Sequence, residues 1–255
     1  MSRMKQSNSY ENFLKNLEEL DALVAFYQKL KDEPVANQMG GYHSPDILLK
    51  SSLIFLVTYL EDYLKSLVDE SFIFMLNNSE NIEIFPEHVR RMTAELLPQT
   101  SDIKNKELWH HEKWKTDVWK LVAQWAEFLT QNKTLRVENF QSARAHNINA
   151  LFFQTIGLKD ISAGWQWQGM NHEQAIQCLN TLLDLRGDYI HKNRSYRLIC
   201  EADIEYFPKF VEALASILAN QVRDYVYDQT GLYPWLYNYI SPHALNFDSN
   251  RCTDR

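Results

Sequence analysis

The chain has 255 residues, of which 45% are hydrophobic and 13% aromatic, enough to build a large core. It contains only 7 Gly and 7 Pro and no regular apolar/polar alternation between turn dipeptides, which argues against a β-sandwich or barrel and predicts an all-α protein. The net charge of -7 excludes a surface that binds nucleic acid everywhere, because phosphate binding needs a locally positive face.

The cysteines and the hydrophobic segments indicate in which cellular compartment the protein is expected. Cys178, Cys200 and Cys252 are widely spaced and form no CxxC pair, so we expect neither a disulfide framework nor a zinc knuckle. This usage is typical of a reducing environment and predicts a cytoplasmic protein. The N-terminus has no apolar signal segment, and the most hydrophobic run, residues 53–60, stops at Glu61. We therefore expect neither export nor a membrane span.

Apolar residues at helical spacing predict a series of helices. The first is amphipathic, and the second is apolar on most sides in its first half, which places it in the middle of the core. Gly157 is expected to end one helix, and Asp203 to cap the start of the last. The predicted helices cover residues 10–33, 44–76, 86–97, 137–156, 171–193 and 203–231.

The organisation along the chain suggests one helical domain with additions at both ends. Residues 1–43 are interpreted as an N-terminal amphipathic helix and loop, residues 44–228 as the helical domain, and residues 229–255 as a C-terminal strap and tail. The segment 157–171 is expected to be an ordered connector. No internal repeat or low-complexity tract is visible.

The region between residues 106 and 129 is rich in tryptophan and histidine. Its tryptophans are spaced by five or six residues, which does not keep them on one helical face, so we expect them to pack between elements and not to stack bases. These are Trp109, Trp114, Trp119 and Trp125. The neighbouring His110, His111 and Glu112 do not match the zinc pattern of two histidines four residues apart. With no glycine-rich phosphate loop either, we expect no metal and no cofactor.

The strongest candidate for chemistry is the stretch LRGDYIHKN at residues 185–193, which holds Arg186 and His191. It closes an apolar-faced helix, where the helix dipole favours the imidazolium and nearby cations oppose it, so His191 can titrate near neutral pH. Residues five apart lie about 140° around an ideal helix from each other. The two side chains therefore meet only if Gly187 distorts the helix, or if a second subunit brings two helix ends together at a twofold axis.

A basic cluster surrounds this pair. Within twelve residues the chain places Arg186, His191, Lys192, Arg194 and Arg197 against Asp188 alone. Such a cluster is a candidate RNA-binding patch, in which Lys192, Arg194 and Arg197 would contact phosphates. The alternative is a solvated basic helix end with no ligand.

These residues resemble the HEPN superfamily of all-helical ribonucleases, whose motif is an Arg, four to six residues, and then a His. Residues 50–70 resemble the central helix of the branch called RiboL-PSP-HEPN, or of its MAE_28990-like relatives, in which an apolar stretch precedes an acidic residue, here Glu61. The later segments follow the order of that branch and extend the resemblance over most of residues 44–228. They are residues 139–157, the GLKDI connector with Trp165 and Trp167, the motif helix, and residues 203–227.

The resemblance implies a HEPN-type helical bundle that acts as a metal-independent endoribonuclease, with a composite cleft in a homodimer. It implies that His191 is the acid and base, that Arg186 clamps the scissile phosphate, and that the products carry a 2',3'-cyclic phosphate and a 5'-hydroxyl. Such proteins serve as toxins or phage-defence effectors, restrained by an antitoxin or a nucleotidyltransferase partner. Supporting roles are expected for Asp188, Asn193 and Glu61.

The chain departs from the family pattern at two positions. The residue after the motif Arg is usually Asn, Asp or His in active members, and here it is Gly187, for which Asp188 can substitute. Members modified by a nucleotidyltransferase carry Tyr two residues after the motif His, where this chain has Asn193. We therefore do not expect nucleotide attachment at the family position.

Two other functions are compatible with the same residues. The first is a catalytically inactive HEPN dimer that acts as an RNA-binding or protein-interaction adaptor, which Gly187 and the acidic net charge favour. The second is a purely structural bundle. In that case Arg186 should pair with a nearby carboxylate such as Asp184 or Glu61, and His191 should be isolated.

Overall fold

The structure, a computed structural model, describes residues 5–31, 45–79, 81–87, 89, 140, 142–191 and 199–245. Helices dominate these residues, and no β-strand occurs among them, so the predicted all-α class is confirmed. The helices are α1 (Asn8–Lys31), α2 (Asp46–Asn78), α3 (Ala145–Ile156), α4 (His172–His191), α5 (Glu201–Thr230) and the short α6 (Pro242–Leu245). Single 3-10 turns occur at Ile82–Ile84 and Ile161–Gly164.

Helix α2 is the centre of the bundle, as its sequence predicts. It packs against α1, α3, α4 and α5. Leu53, Val57, Leu60, Leu64 and Leu67 are all fully buried. Each buried leucine or valine contributes about 1.5–3 kcal/mol of hydrophobic stabilisation. The apolar first half of α2 therefore anchors the other helices.

None of the helices in the described ranges combines the length and the apolar character needed to cross a membrane.

The N-terminus of α1 is fixed to α2 by the carboxylate of Glu70. Its Oε2 accepts hydrogen bonds from the hydroxyls of Ser7 and Ser9, at 2.8 and 2.7 Å, and from the backbone N–H of Ser9 at 3.0 Å. Its Oε1 accepts from the backbone N–H of Asn8 at 3.0 Å. Glu70 thus supplies acceptors to a helix N-terminus, where unpaired N–H groups and the helix dipole favour an anion.

The other end of α1 is fixed to the start of α5. Glu201 accepts hydrogen bonds from the side chains of Tyr27 and Gln28, at 3.2 and 3.1 Å, and forms an ion pair with Lys31. These interactions lower the pKa of Glu201, the bond from Lys31 most strongly. Because Glu201 is the first residue of α5, this contact places the start of α5 beside the last turn of α1.

The start of α3 differs from the prediction of a helix over residues 137–156. Residues 140 and 142–144 are not helical, and Arg144 has an extended backbone with φ -68° and ψ 148°. The side-chain amide of Asn147 donates to the carbonyl and hydroxyl oxygens of Ser142, both at 3.1 Å. Such local side-chain bonds compete with helix formation, and α3 begins only at Ala145.

The predicted end of α3 is confirmed. Gly157 has a left-handed backbone with φ 86°, and its N–H donates to the carbonyl of Phe153 at 3.1 Å. The connector that follows is ordered, since Trp165 is fully buried and the side chain of Asn149 exchanges two hydrogen bonds with Ser162.

The N-cap of α5 lies three residues before the predicted one. Cys200 is the N-cap, and Asp203, the expected cap, lies at the third helical position. Its carboxylate accepts from the backbone N–H of Cys200 at 3.0 Å, which completes a capping box. Asp203 therefore does stabilise the helix start, although from inside the helix.

The chain after α5 lies back along that helix. Trp235 is buried, and its indole N–H donates to the carbonyl of Ala219 at 3.2 Å. Asn220 donates to the carbonyl of Asn238 at 2.7 Å and accepts from the N–H of Asn238 at 2.8 Å. Residues 231–241 are therefore held to α5 by defined hydrogen bonds.

The predicted helix 86–97 lies outside the described residues, apart from residues 86, 87 and 89. The same is true of the four tryptophans at 109, 114, 119 and 125 and of His110, His111 and Glu112.

A pH-dependent effect on stability is expected at Asp69 in α2, where burial raises the pKa from 3.8 to about 6. The unfolded chain loses this proton at lower pH than the folded chain, so stability falls as pH rises from about 4 to about 6. We expect Asp69→Asn to raise the free energy of unfolding at neutral pH by about 2 kcal/mol and to have little effect below about pH 4. Urea titrations at both pH values test this, with the exposed Asp62→Asn as control. An equal effect at both pH values would contradict it.

Candidate functional site

The structure describes some of the predicted site residues and leaves others outside its described ranges. Arg186 and Asp188 are half-buried near the end of α4, and Glu61 is half-buried on α2. His191 is the last residue of α4, and its side chain lies outside the described residues. Four more predicted residues also lie outside them, namely Lys192, Asn193, Arg194 and Arg197.

Helix α4 is regular through Gly187. The helix is continuous from His172 to His191, and Gly187 does not adopt the left-handed backbone found at three other glycines. The local distortion at Gly187, one of the two alternatives that the sequence left open, is therefore absent from α4. On an ideal helix, positions 186 and 191 lie about 140° apart around the axis. Of the two arrangements left open by the sequence, the meeting of two helix ends in a dimer stays a prediction.

A stability test follows from the open space around Gly187. A Cβ added there meets no atom within 4 Å, so Gly187→Ala is expected to raise the free energy of unfolding by about 1 kcal/mol. The matched control is Gly157→Ala, which should be destabilising because φ is +86° and the Tyr225 hydroxyl is 3.0 Å from the new Cβ. Urea denaturation measures both changes. A loss of stability in Gly187→Ala would contradict the regular helix.

The structure brings together two of the predicted residues, Arg186 and Glu61. Burial raises the pKa of Glu61, while the charges of Arg186 and Lys65 and a hydrogen bond from the Ala143 backbone act in the opposite direction. Glu61 Oε1 and Arg186 Nε are both buried, and neither has a hydrogen-bond partner in the described part of the chain. The two groups interact through their charges without a direct hydrogen bond. Each retains an unused polar atom, which is costly in a buried position.

The carboxylate of Asp184, two residues before Arg186, is used by another cation. Asp184 forms an ion pair with Arg144, which also donates to the side-chain oxygen of Asn180 at 3.1 Å. Arg186 is therefore not paired with Asp184. Of the two carboxylates that a purely structural bundle offers as its partners, Glu61 is the one whose charge interacts with Arg186.

Sequence reasoning missed Arg144, because the predicted helix 137–156 placed this residue inside a helix. In the structure, the extended segment before α3 bridges two helices. Ala143 hydrogen-bonds to Glu61 on α2, and Arg144 binds α4. The only sequence signal was the pair Ser142 and Asn147, whose side chains favour a helix boundary. This segment holds the α2 and α4 sides of the site in register.

A further cation, Lys50, was also missed. Its Nζ lies 5.5 Å from the ring centroid of Tyr189 on α4. The hydroxyl of Tyr189 accepts a hydrogen bond at 2.9 Å from the backbone N–H of Ile199, where the described chain resumes after α4. Lys50 thus adds positive charge beside Tyr189 in the last turn of α4.

This arrangement can bind an anion. Arg186 presents a planar guanidinium whose Nε is not yet used, and Arg is suited to bidentate contact with phosphate. Glu61 is a half-buried carboxyl whose negative charge favours the cation. Lys50 offers a second positive charge on the α2 side.

Comparison of the sequence with curated proteins and with solved structures gives no match. The comparison with family models does give one, RiboL-PSP-HEPN, over residues 11–224. The matched range begins within α1 and ends within α5, so it includes Glu61, Arg186 and His191. HEPN membership indicates an RNase-like or RNA-related function. Because the match covers most of the chain and agrees with its helical fold, the chain belongs to the RiboL-PSP-HEPN family of the HEPN superfamily, as its sequence predicts.

Proposed function

We propose that the protein is a metal-independent endoribonuclease in which Arg186 binds the scissile phosphate and His191 transfers protons. The observation that supports this proposal most directly is the environment of the Arg186 side chain. It is half-buried at the end of α4, it makes no ion pair with Asp184, and its Nε has no hydrogen-bond partner among the described residues. A half-buried guanidinium with an unused donor is suited to a phosphate ligand.

The proposed reaction needs no metal ion and no external nucleophile. The ribose 2'-oxygen attacks the neighbouring phosphorus while the bond from phosphorus to the 5'-oxygen breaks. A neutral His191 removes the 2'-hydroxyl proton, and a protonated imidazole gives a proton to the departing 5'-oxygen. The products are a 2',3'-cyclic phosphate and a 5'-hydroxyl. Arg186 stabilises the negative charge that develops on the phosphate oxygens.

A homodimer supplies the second histidine. Because residues five apart lie about 140° around an ideal helix from each other, we propose that one chain does not present both Arg186 and His191 to a single phosphate. Two α4 ends meeting at a twofold axis would place Arg186 of one chain near His191 of the partner subunit, with one imidazole acting as base and the other as acid. Asp188 and Asn193 are proposed to support the cleft.

The basic residues around the cleft are proposed to hold the flanking RNA. Lys192, Arg194, Arg197 and Lys50 would contact phosphates on either side of the scissile bond. In a chain of net charge -7, this local positive surface must supply the attraction for RNA. Binding is therefore expected to weaken steeply with salt.

The biological role that fits this chemistry is a cytoplasmic toxin or phage-defence effector. Uncontrolled RNA cleavage harms the host, so a restraining antitoxin or nucleotidyltransferase partner is part of the proposal. Because Asn193 replaces the family tyrosine, the proposed restraint acts by binding and not by nucleotide attachment at that position.

Expression in a bacterial host tests this role. The wild type is expected to slow growth, and His191→Ala to relieve the effect at equal protein level. The matched control is His146→Ala, since His146 is an exposed histidine on α3. It should slow growth as the wild type does. Equal growth inhibition by wild type and His191→Ala would contradict the catalytic role of His191.

The alternative function is a catalytically inactive HEPN adaptor that binds RNA or a protein. It is favoured by Gly187, which has no side chain where active members carry a polar one, and by the acidic net charge. An adaptor would bind RNA without cleaving it, and its RNA affinity would fall in Arg186→Ala while His191→Ala stayed close to wild type.

A further inference from the structure

Exposed aromatic side chains are concentrated on the chain that follows α5. Six large apolar side chains within residues 227–239 are exposed, whereas the other exposed ones in the described part of the chain are scattered over α1, α2, α3 and α4. We call these six the tyrosine ledge. They are Tyr227, Leu232, Tyr233, Leu236, Tyr237 and Tyr239.

The tyrosine ledge is rigidly supported. Below it, Trp235 and Asn238 are hydrogen-bonded to α5, and the N–H of Leu236 donates to the carbonyl of Lys5 at 3.0 Å. The rings of Tyr227 and Tyr233 are stacked, with centroids 4.1 Å apart. Side chains held in place before binding lose little entropy on association, which is typical of interface hot spots.

The size of the ledge matches a reversible protein interface. Exposed fractions run from 39% for Tyr233 to 83% for Tyr239. With about 150–250 Å² for each tyrosine, the four rings alone expose about 300–500 Å². The two leucines extend this area towards the roughly 800 Å² that each partner buries in a stable complex. Patches of this size on a single chain are often functional.

The charges around the ledge favour another copy of the same chain. Arg223 lies 3.7 Å from the ring centroid of Tyr233 and is paired with Asp224. Within residues 227–241 Asp228 is the one charged side chain, so the ledge carries little net charge. A neutral aromatic surface does not attract the phosphates of RNA. Two chains of net charge -7 also repel each other less across such a surface than across a strongly acidic one.

We infer that the tyrosine ledge is a docking surface for a second copy of the chain, paired about a twofold axis. This contact is distinct from the proposed meeting of α4 ends. Glu201 follows the end of α4, whereas Asn238 is bonded to Asn220, and the helical rise between Glu201 and Asn220 is about 30 Å. A copy docked on the ledge therefore leaves the region of Arg186 open.

Analytical ultracentrifugation over a range of protein concentrations tests this inference. The double variant Tyr237→Glu/Tyr239→Glu places like charges across the twofold axis, and its self-association constant at the ledge should fall at least about a hundredfold. Tyr239→Phe should keep the association. The matched control is Phe26→Glu, which changes an equally exposed aromatic residue on α1 and should sediment as the wild type. Circular dichroism checks that each variant is folded.

The effect of added salt on self-association is a second test of the ledge. Self-association at the ledge should persist or strengthen with salt, because screening reduces the repulsion between two acidic chains. Unchanged sedimentation of the double variant would overturn the inference. If that variant also binds oligouridine more weakly than the wild type, the ledge is an RNA-stacking surface. The test measures mass, so its outcome is independent of RNA cleavage.

Discussion

Replacing Arg186 by alanine is expected to reduce RNA cleavage by about 10²–10³-fold. The guanidinium is the proposed donor to the phosphate oxygens, and loss of one such donor in a transition state costs about this factor. The chain should remain folded, because Arg186 Nε has no hydrogen-bond partner and Asp184 is paired with Arg144. Initial cleavage rates on a defined RNA, with urea denaturation of the same sample, measure both effects.

The variant Arg186→Lys separates the contribution of the positive charge from that of the planar guanidinium. Lysine keeps the positive charge beside Glu61 but lacks the planar fork, so only part of the activity should return. Lys159→Ala, which removes an exposed cation in the connector after α3, serves as the control and should cleave as the wild type. Full activity in Arg186→Ala would remove this residue from the mechanism.

Replacing Glu70 by alanine is expected to lower the free energy of unfolding by about 3 kcal/mol. The change removes an anion that accepts four hydrogen bonds from Ser7, Asn8 and Ser9 at the start of α1. Hydrogen bonds to a charged group contribute about 1.5–3 kcal/mol, and loss of a helix N-cap costs about 1 kcal/mol. The donors in α1 lose their partner, although part of this cost is recovered through water.

Urea denaturation of Glu70→Ala and Glu19→Ala provides the comparison. Glu19 is also a glutamate in a contact between α1 and α2, but it accepts one exposed hydrogen bond, from Tyr59 at 2.9 Å. Its replacement should change the free energy of unfolding by less than about 1 kcal/mol. Equal losses in the two variants would show that Glu70 has no special role at the N-terminus of α1.

Local sequence patterns predicted the elements that rest on hydrophobic spacing. The apolar run of α2 indicated its central place, and Gly157 indicated the end of α3, because both effects act over one or two helical turns. Helix starts were less well predicted. The pattern before Ala145 is compatible with a helix, and only the bonds between Asn147 and Ser142 end it.

In the candidate site, too, local features were predicted and contacts between helices were not. Arg186 and the end of α4 could be predicted from the chain itself, whereas the place of Glu61 beside Arg186 depends on how α2 packs against α4. Spacing along the sequence carries no information on that packing, and only the resemblance to HEPN proteins selected Glu61. The contact of Ala143 with Glu61 and that of Arg144 with Asp184 had no such guide.

The central claim is that His191 and Arg186 form a metal-independent RNA-cleaving site. It is tested most directly by incubating purified wild type and His191→Ala with a mixed RNA pool in EDTA and mapping the ends of the products. We predict cleavage by the wild type alone, leaving 2',3'-cyclic phosphates and 5'-hydroxyls. Cleavage by both proteins, or products with 3'-hydroxyl ends, would contradict the claim.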